Sequence, residues 1–96
     1  MGPSNLPDPN YAAYRKDLAD VSLAGTVIAS HYAEPIARSI RLKTVLRSEP
    51  VDAAEPVLDL NEGDPFALLD NSLGWAWGYA GGDRRVGYVK SEALDL

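Results

Sequence analysis

The sequence predicts a mainly β domain: a small barrel of about five short strands preceded by an N-terminal arm. Three observations lead there. From Ile36 onward, short apolar and β-branched runs are separated by turn signals at spacings of roughly 8–12 residues. A chain of 96 residues allows one domain and little else. So few strands must close on themselves, because an open sheet of that size would leave long unpaired edges. The division expected is an arm over residues 1–32 and a barrel over residues 33–96.

The arm opens with Pro3, Pro7 and Pro9 among Asn and Asp, so residues 1–10 should run extended. Tyr11, Tyr14, Leu18 and Val21 then recur at helical spacing, with Arg15, Lys16, Asp17 and Asp20 on the other face. That spacing predicts a short helix stopped at Gly25, its tyrosines packing on the domain. Gly25 to Tyr32 is apolar and β-branched and reads as a strand, with Val27, Ala29 and His31 sharing a face. Glu34-Pro35 interrupts it.

In the barrel region, Ile40, Leu42 and Thr44 alternate with Arg41 and Lys43, which predicts a half-buried strand continuing through Arg47. An acidic, proline-bounded loop follows from Pro50 to Pro56. Val57-Leu58-Asp59-Leu60 is the next strand, ended by the turn signal Asn61-Glu62-Gly63-Asp64-Pro65. Phe66 to Leu69 forms another, and Asp70 to Gly74 a hairpin turn into Trp75-Ala76-Trp77-Gly78-Tyr79. Gly81-Gly82-Asp83 turns the chain again, Val86 to Val89 returns, and Ser91 caps a single 3₁₀ turn before Leu96.

Composition sets limits on function. The chain has no cysteine, which excludes a disulfide, a thiolate nucleophile and a cysteine-based zinc site. Its net charge of -5 argues against a nucleic-acid backbone or an anionic membrane as partner. No apolar run approaches the roughly 18 residues that suggest a membrane span. Met1 to Pro7 carries neither the basic region nor the apolar stretch of a signal peptide. The expected location is therefore the cytoplasm, or the cell envelope if a leader lies outside this chain. His31 is the only histidine and lacks metal-ligand spacing, so it reads as a tolerated strand residue. The glycines do not follow the strand-then-helix spacing of a dinucleotide loop. No cofactor or metal is expected.

Residues Thr44 to Leu94 resemble the bacterial SH3-like domain. The resemblance rests on Val45-Leu46-Arg47-Ser48-Glu49-Pro50, on the apolar strand, turn and strand from Val57 to Leu69, and on the hairpin Gly74-Trp75-Ala76-Trp77-Gly78. The closing segment Gly87-Tyr88-Val89-Lys90-Ser91-Glu92-Ala93-Leu94 completes it. Taken with Asp8-Pro9-Asn10, Asp17-Leu18-Ala19 and Leu23-Ala24-Gly25-Thr26-Val27, the chain is similar to the N-terminal region of NlpC-type γ-D-glutamyl-L-diamino-acid endopeptidases. The resemblance implies an accessory domain followed in such proteins by a Cys-His-His catalytic domain that cuts peptidoglycan peptides. This chain, with no cysteine and one histidine, cannot build that site. The implied partners are a murein peptide or a C-terminal peptidase domain in the parent chain.

The candidate ligand-facing residues follow from side-chain chemistry. Trp75, Trp77 and Tyr79 alternate and so share one strand face, opposite Ala76, Gly78 and Ala80. They either form an aromatic ledge beside a peptide groove or serve to close a small barrel, and Tyr88 faces the same choice. Asp59 and Glu62 belong to an acidic stretch that either keeps the domain soluble or pairs with a peptide's amino terminus. Arg84 and Arg85, at a hairpin tip, are either solvated or bind a carboxylate of a muropeptide. The rival to a murein-binding accessory domain is a protein-interaction domain with no role in ligand binding.

Overall fold

The computed structural model describes residues 7–96. The extended run expected for residues 1–6, including Pro3, lies outside the described residues. The described residues form two sheets. A small parallel pair joins β1 (Leu18–Asp20) to β2 (His31–Ala33). A six-stranded sheet follows, formed by β3 (Ile36–Ser39), β4 (Thr44–Arg47), β5 (Pro56–Leu60), β6 (Pro65–Ser72), β7 (Trp75–Ala80) and β8 (Arg85–Lys90). Its spatial order is β3-β6-β7-β8-β4-β5, with antiparallel pairing throughout.

One buried cluster collects residues from β4 to β8: Leu46, Leu60, Phe66, Ala76, Ala80 and Val89. Ile40 and Leu94, which bridge each other, complete it. A sheet in which five of six strands aim side chains into one cluster must curl around it, as a small SH3-like barrel does. Ile40 ties the barrel mouth together. Its N–H donates to the Asp64 carbonyl, and its own carbonyl accepts from Gly63.

Two glycines permit the tight curl. Gly78 on β7 lies opposite Gly87 on β8. A Cβ at Gly78 would sit 2.0 Å from the Ala67 carbonyl oxygen, and one at Gly87 would sit 2.6 Å from Leu46 Cγ. Neither approach leaves room for a methyl group. The small-residue face of β7 thus admits close backbone contact.

Several local expectations are corrected. The run from Tyr11 to Val21 is not a helix: it forms a turn, the strand β1 and a 3₁₀ turn at Val21–Leu23. Its backbone groups are spoken for elsewhere. The Ala13 N–H donates to the Tyr79 hydroxyl, Arg15 N–H to the Leu18 carbonyl, and Asp20 N–H to the Ala13 carbonyl. The strand expected from Gly25 begins only at His31. Thr26 and Val27 N–H both donate to the Leu23 carbonyl, which makes a tight turn and leaves Ile28 95% exposed. The strand expected from Ile40 begins at Thr44, because Arg41 and Leu42 N–H turn to the Ala93 carbonyl. Ser91 lies inside the closing 3₁₀ turn rather than capping it, and its hydroxyl donates to Asn71 Oδ1.

The β6–β7 hairpin is tighter than expected. Strand β6 runs on to Ser72, leaving Leu73 and Gly74 as a two-residue turn. Both have positive φ, 54° and 85°, the pairing of a type I′ turn whose twist matches the strands it joins.

Candidate functional site

Alternation along β7 separates two environments. Ala76 and Ala80 point into the barrel, whereas Trp77 and Tyr79 belong to a second cluster on the outer face, with Ala13 of the arm at its centre. The aromatic residues therefore do not fill the barrel. The arm folds back and covers them.

Tyr79 is the attachment point. Its hydroxyl donates to Asp20 Oδ2 at 2.6 Å and accepts from the Ala13 N–H at 3.0 Å. The other Asp20 oxygen accepts from the Ser22 N–H at 2.9 Å. A buried carboxylate thus gains two donors, which is what keeps its burial from being costly. Burial, and then the hydrogen bond to Asp20, push the Tyr79 phenol above its ordinary pKa.

The arm also delivers Arg15 to the outer face. Its Nε and Nη2 donate to the two oxygens of Asp17, each at 2.9 Å, in the fork geometry that suits a carboxylate. Nη2 also reaches Asp70 Oδ2 at 3.0 Å, and the guanidinium lies 4.3 Å above the Trp77 ring. Burial works against this charge, but hydrogen bonds to Asp17, Tyr88 and Asp70 outweigh it and raise the Arg15 pKa. In return, Arg15 holds the Asp17 carboxyl below the usual range.

Asp70 is there because of a β-bulge. Strands β6 and β7 pair Leu68 with Gly78 and then Asp70 with Trp77, so the register shifts at Leu69. Without the extra residue, strict alternation would aim Asp70 into the barrel. With it, Asp70, Trp77, Tyr88 and Arg47 lie in one row across four strands. The next row places Ser72, Trp75 and Lys90 side by side.

These rows border a groove of about 380 Å³. The arm contributes Arg15 and Asp17, and β6 and its tip contribute Asp70, Ser72 and Leu73. Trp75 and Tyr88 form the aromatic walls, and Pro50 closes the far side. The acidic loop carrying Pro50 is held over the groove. Lys90 Nζ pairs with Asp52 at 2.9 Å, and Arg47 donates to the Ala54 carbonyl at 2.9 Å.

The residues singled out in the sequence fall into three places. Trp75 and Tyr88 line the groove, both half-buried. Trp77 and Tyr79 lie beneath the arm, only 3% and 5% exposed, and act as its seat. Arg84 and Arg85 lie at the opposite end of the β7 strand, stacked over Tyr79 and Tyr11 respectively. Asp59 and Glu62 are exposed on β5 and the following turn, and neither lines the groove. The sequence reading passed over Arg15, Asp17 and Asp70 as groove residues. The first two stood on the polar face of a helix that does not form, and the third in a turn that is strand. His31 opens β2 and is exposed. Among the described residues, no group of three or more His, Asp or Glu could hold a metal ion. No helix among them is long and apolar enough to cross a membrane.

Residues 46–94, just over half of the chain, match the family described as the bacterial dipeptidyl-peptidase SH3 domain. The chain belongs to that family. The matched span of this bacterial SH3-like domain runs from the middle of β4 through the closing 3₁₀ turn. It therefore carries both aromatic walls of the groove, while Arg15 and Asp17 come from outside it. No curated protein and no solved structure gives a significant match.

Proposed function

We propose that this SH3-like domain is an accessory module of a cell-wall cysteine peptidase and that its Trp75–Tyr88 groove receives a murein peptide. The observation that carries the reading is the meeting of two aromatic walls with a fixed charge set on one face. Trp75 and Tyr88 offer rigid rings that lose little entropy on contact. Arg15 is held by Asp17, Asp70 and Tyr88, so its neighbours are fixed before any ligand arrives. Two carboxylates face one guanidinium, which leaves the groove with an excess negative charge. That excess suits the free ammonium group of a short peptide, while the rings cover the adjoining small side chains. Peptidase association, known for the family, supplies the setting in which such a peptide would be met.

The rival reading, docking on a partner chain without ligand contact, draws on Leu73. This residue is 98% exposed at the hairpin tip beside the groove. Calorimetry with an L-Ala-γ-D-Glu-diamino-acid tripeptide separates the two. The murein reading expects saturable binding, weakened about tenfold by Trp75→Ala and unchanged by Glu62→Gln, which lies on an exposed turn outside the groove. Absence of binding to the folded wild-type chain would overturn it.

A further inference from the structure

The ion pairs among the described residues all lie in or beside the groove, and they differ in kind. Arg15 is half-buried and bonds two carboxylates and a tyrosine hydroxyl. Lys90 makes a single contact, to Asp52 at 2.9 Å, and the two side chains are 46% and 77% exposed. A single pair so open to water holds weakly, because solvent competes for both charges. The Arg15 cluster is a fixture, whereas the Lys90 pair is exchangeable.

What the weak pair holds is a strap. Residues 48–55 are closed at the base by the Ser48 N–H on the Glu55 carbonyl and folded at the tip by the Ala54 N–H on the Val51 carbonyl. A β-bulge marks the root, where the β4–β5 register shifts between Leu46 and Arg47. Arg47 ties that root through the Ala54 carbonyl, and Asp52 ties the tip to β8.

Lys90 is placed for more than this tie. It pairs across the strands with Trp75, its Nζ 5.7 Å from the ring centre, and shares a strand face with Tyr88 two residues before it. The groove stops short of Lys90 at Pro50, two residues from Asp52. Lifting the tip would extend the groove along both aromatic walls as far as Lys90. Two strand spacings across the sheet and two residues along it separate the Asp70 and Lys90 backbones, about 12 Å. A short peptide whose ammonium meets Asp17 and Asp70 therefore brings a carboxylate two or three residues on within reach of Lys90. Asp52 raises the Lys90 ammonium above its ordinary pKa and is itself held below the usual range, so an entering carboxylate competes with one anion for one full cation.

We propose that Lys90 exchanges Asp52 for a carboxylate of the bound peptide. The ligand thereby releases the strap, and Lys90 selects peptides that carry an acid two or three residues from their amino end. The proposal rests on the reading of the groove as a murein-peptide site.

Calorimetry on the full chain tests it with the L-Ala-γ-D-Glu-diamino-acid tripeptide and with the same tripeptide bearing carboxamides in place of its carboxylates. The two ends of the pair should act in opposite directions. Asp52→Asn removes the competing anion and should tighten the acid about threefold, whereas Lys90→Gln should weaken it about fivefold. A pair that only shaped the groove would move affinity the same way from either end. Binding of the carboxamide form should be the same in both variants as in the wild type. Both positions are exposed, and an unchanged amide spectrum checks that each variant is folded. Changes in the same direction, equal effects on acid and carboxamide, or no effect of either substitution would overturn the exchange and leave the murein groove standing. Failure of the folded wild-type chain to bind the tripeptide would overturn both.

Discussion

On the inner face of β7, Ala76, Gly78 and Ala80 meet Phe66, Leu46 and Val89 with no polar group among the side chains. On the outer face, Trp77 and Tyr79 meet an arm that brings Ala13, Arg15 and Asp20, and Trp75 stands beside them in the groove. The inner face is stabilised by close backbone approach and aliphatic burial. The outer face is stabilised by rings with polar handles and by charges held in fixed geometry. Aliphatic packing tolerates nothing but a fit, whereas the outer face combines cover with chemistry. It is there that a groove with defined charge appears.

Substitutions on the two faces should therefore fail differently. The largest expected effect is Gly78→Ala, which sets a methyl group against the Ala67 carbonyl on the inner face. Loss of about 3 kcal/mol or more is expected in a urea melt, and a wild-type midpoint would break the account of the barrel. Tyr79→Phe acts on the outer face. It leaves the Ala13 N–H without an acceptor and takes one donor from Asp20. A cost of about 1–3 kcal/mol is expected. The signature is specific: Trp77 should become solvent-exposed and its fluorescence shift to the red while the barrel amides keep their protection from exchange. Simultaneous loss of both would show that arm and barrel are one cooperative unit.

Alkali should reproduce that effect reversibly. Tyr79 titrates above its ordinary value of 10.0 in the folded chain, because burial and Asp20 favour the neutral phenol. The neutral form is the one the fold holds, so its contribution is complete below pH 10 and is lost as pH rises through the folded value. Thermal melts above pH 10 should fall more steeply for the wild type than for Tyr79→Phe. The smallest expected effect is Leu73→Asn, which replaces an exposed branched residue at positive φ with one that tolerates it. A gain of about 0.5–1 kcal/mol is expected by the same melt.

The inner face was the more legible of the two. Strands β5, β7 and β8 follow from local alternation and from turn residues such as Asn61 to Pro65, and the Gly78 constraint follows from a bare strand face. Most of the outer face does not follow from local signals. Tyr11, Tyr14, Leu18 and Val21 match a helical period over too short a window to outweigh tertiary hydrogen bonding. Arg15 reaches Asp70 and Tyr88 across 55 and 73 residues of chain, a pairing that spacing does not encode. The bulge at Leu69 has no glycine to mark it, and one residue of register decides which face Asp70 joins. The aromatic alternation of Trp75, Trp77 and Tyr79 was visible, but which ring the arm would cover was not.

The central claim is that arm and barrel together build a groove in which Trp75 meets ligand while Trp77 serves as the seat of the arm. The two tryptophan side-chain N–H signals report on it separately. Titration of the labelled full chain with L-Ala-γ-D-Glu-diamino-acid tripeptide should shift the Trp75 indole and the Tyr88 and Asp70 amides, with the Trp77 indole little changed. A Trp75 signal that stays still at tripeptide concentrations where the folded chain is unchanged would contradict the account.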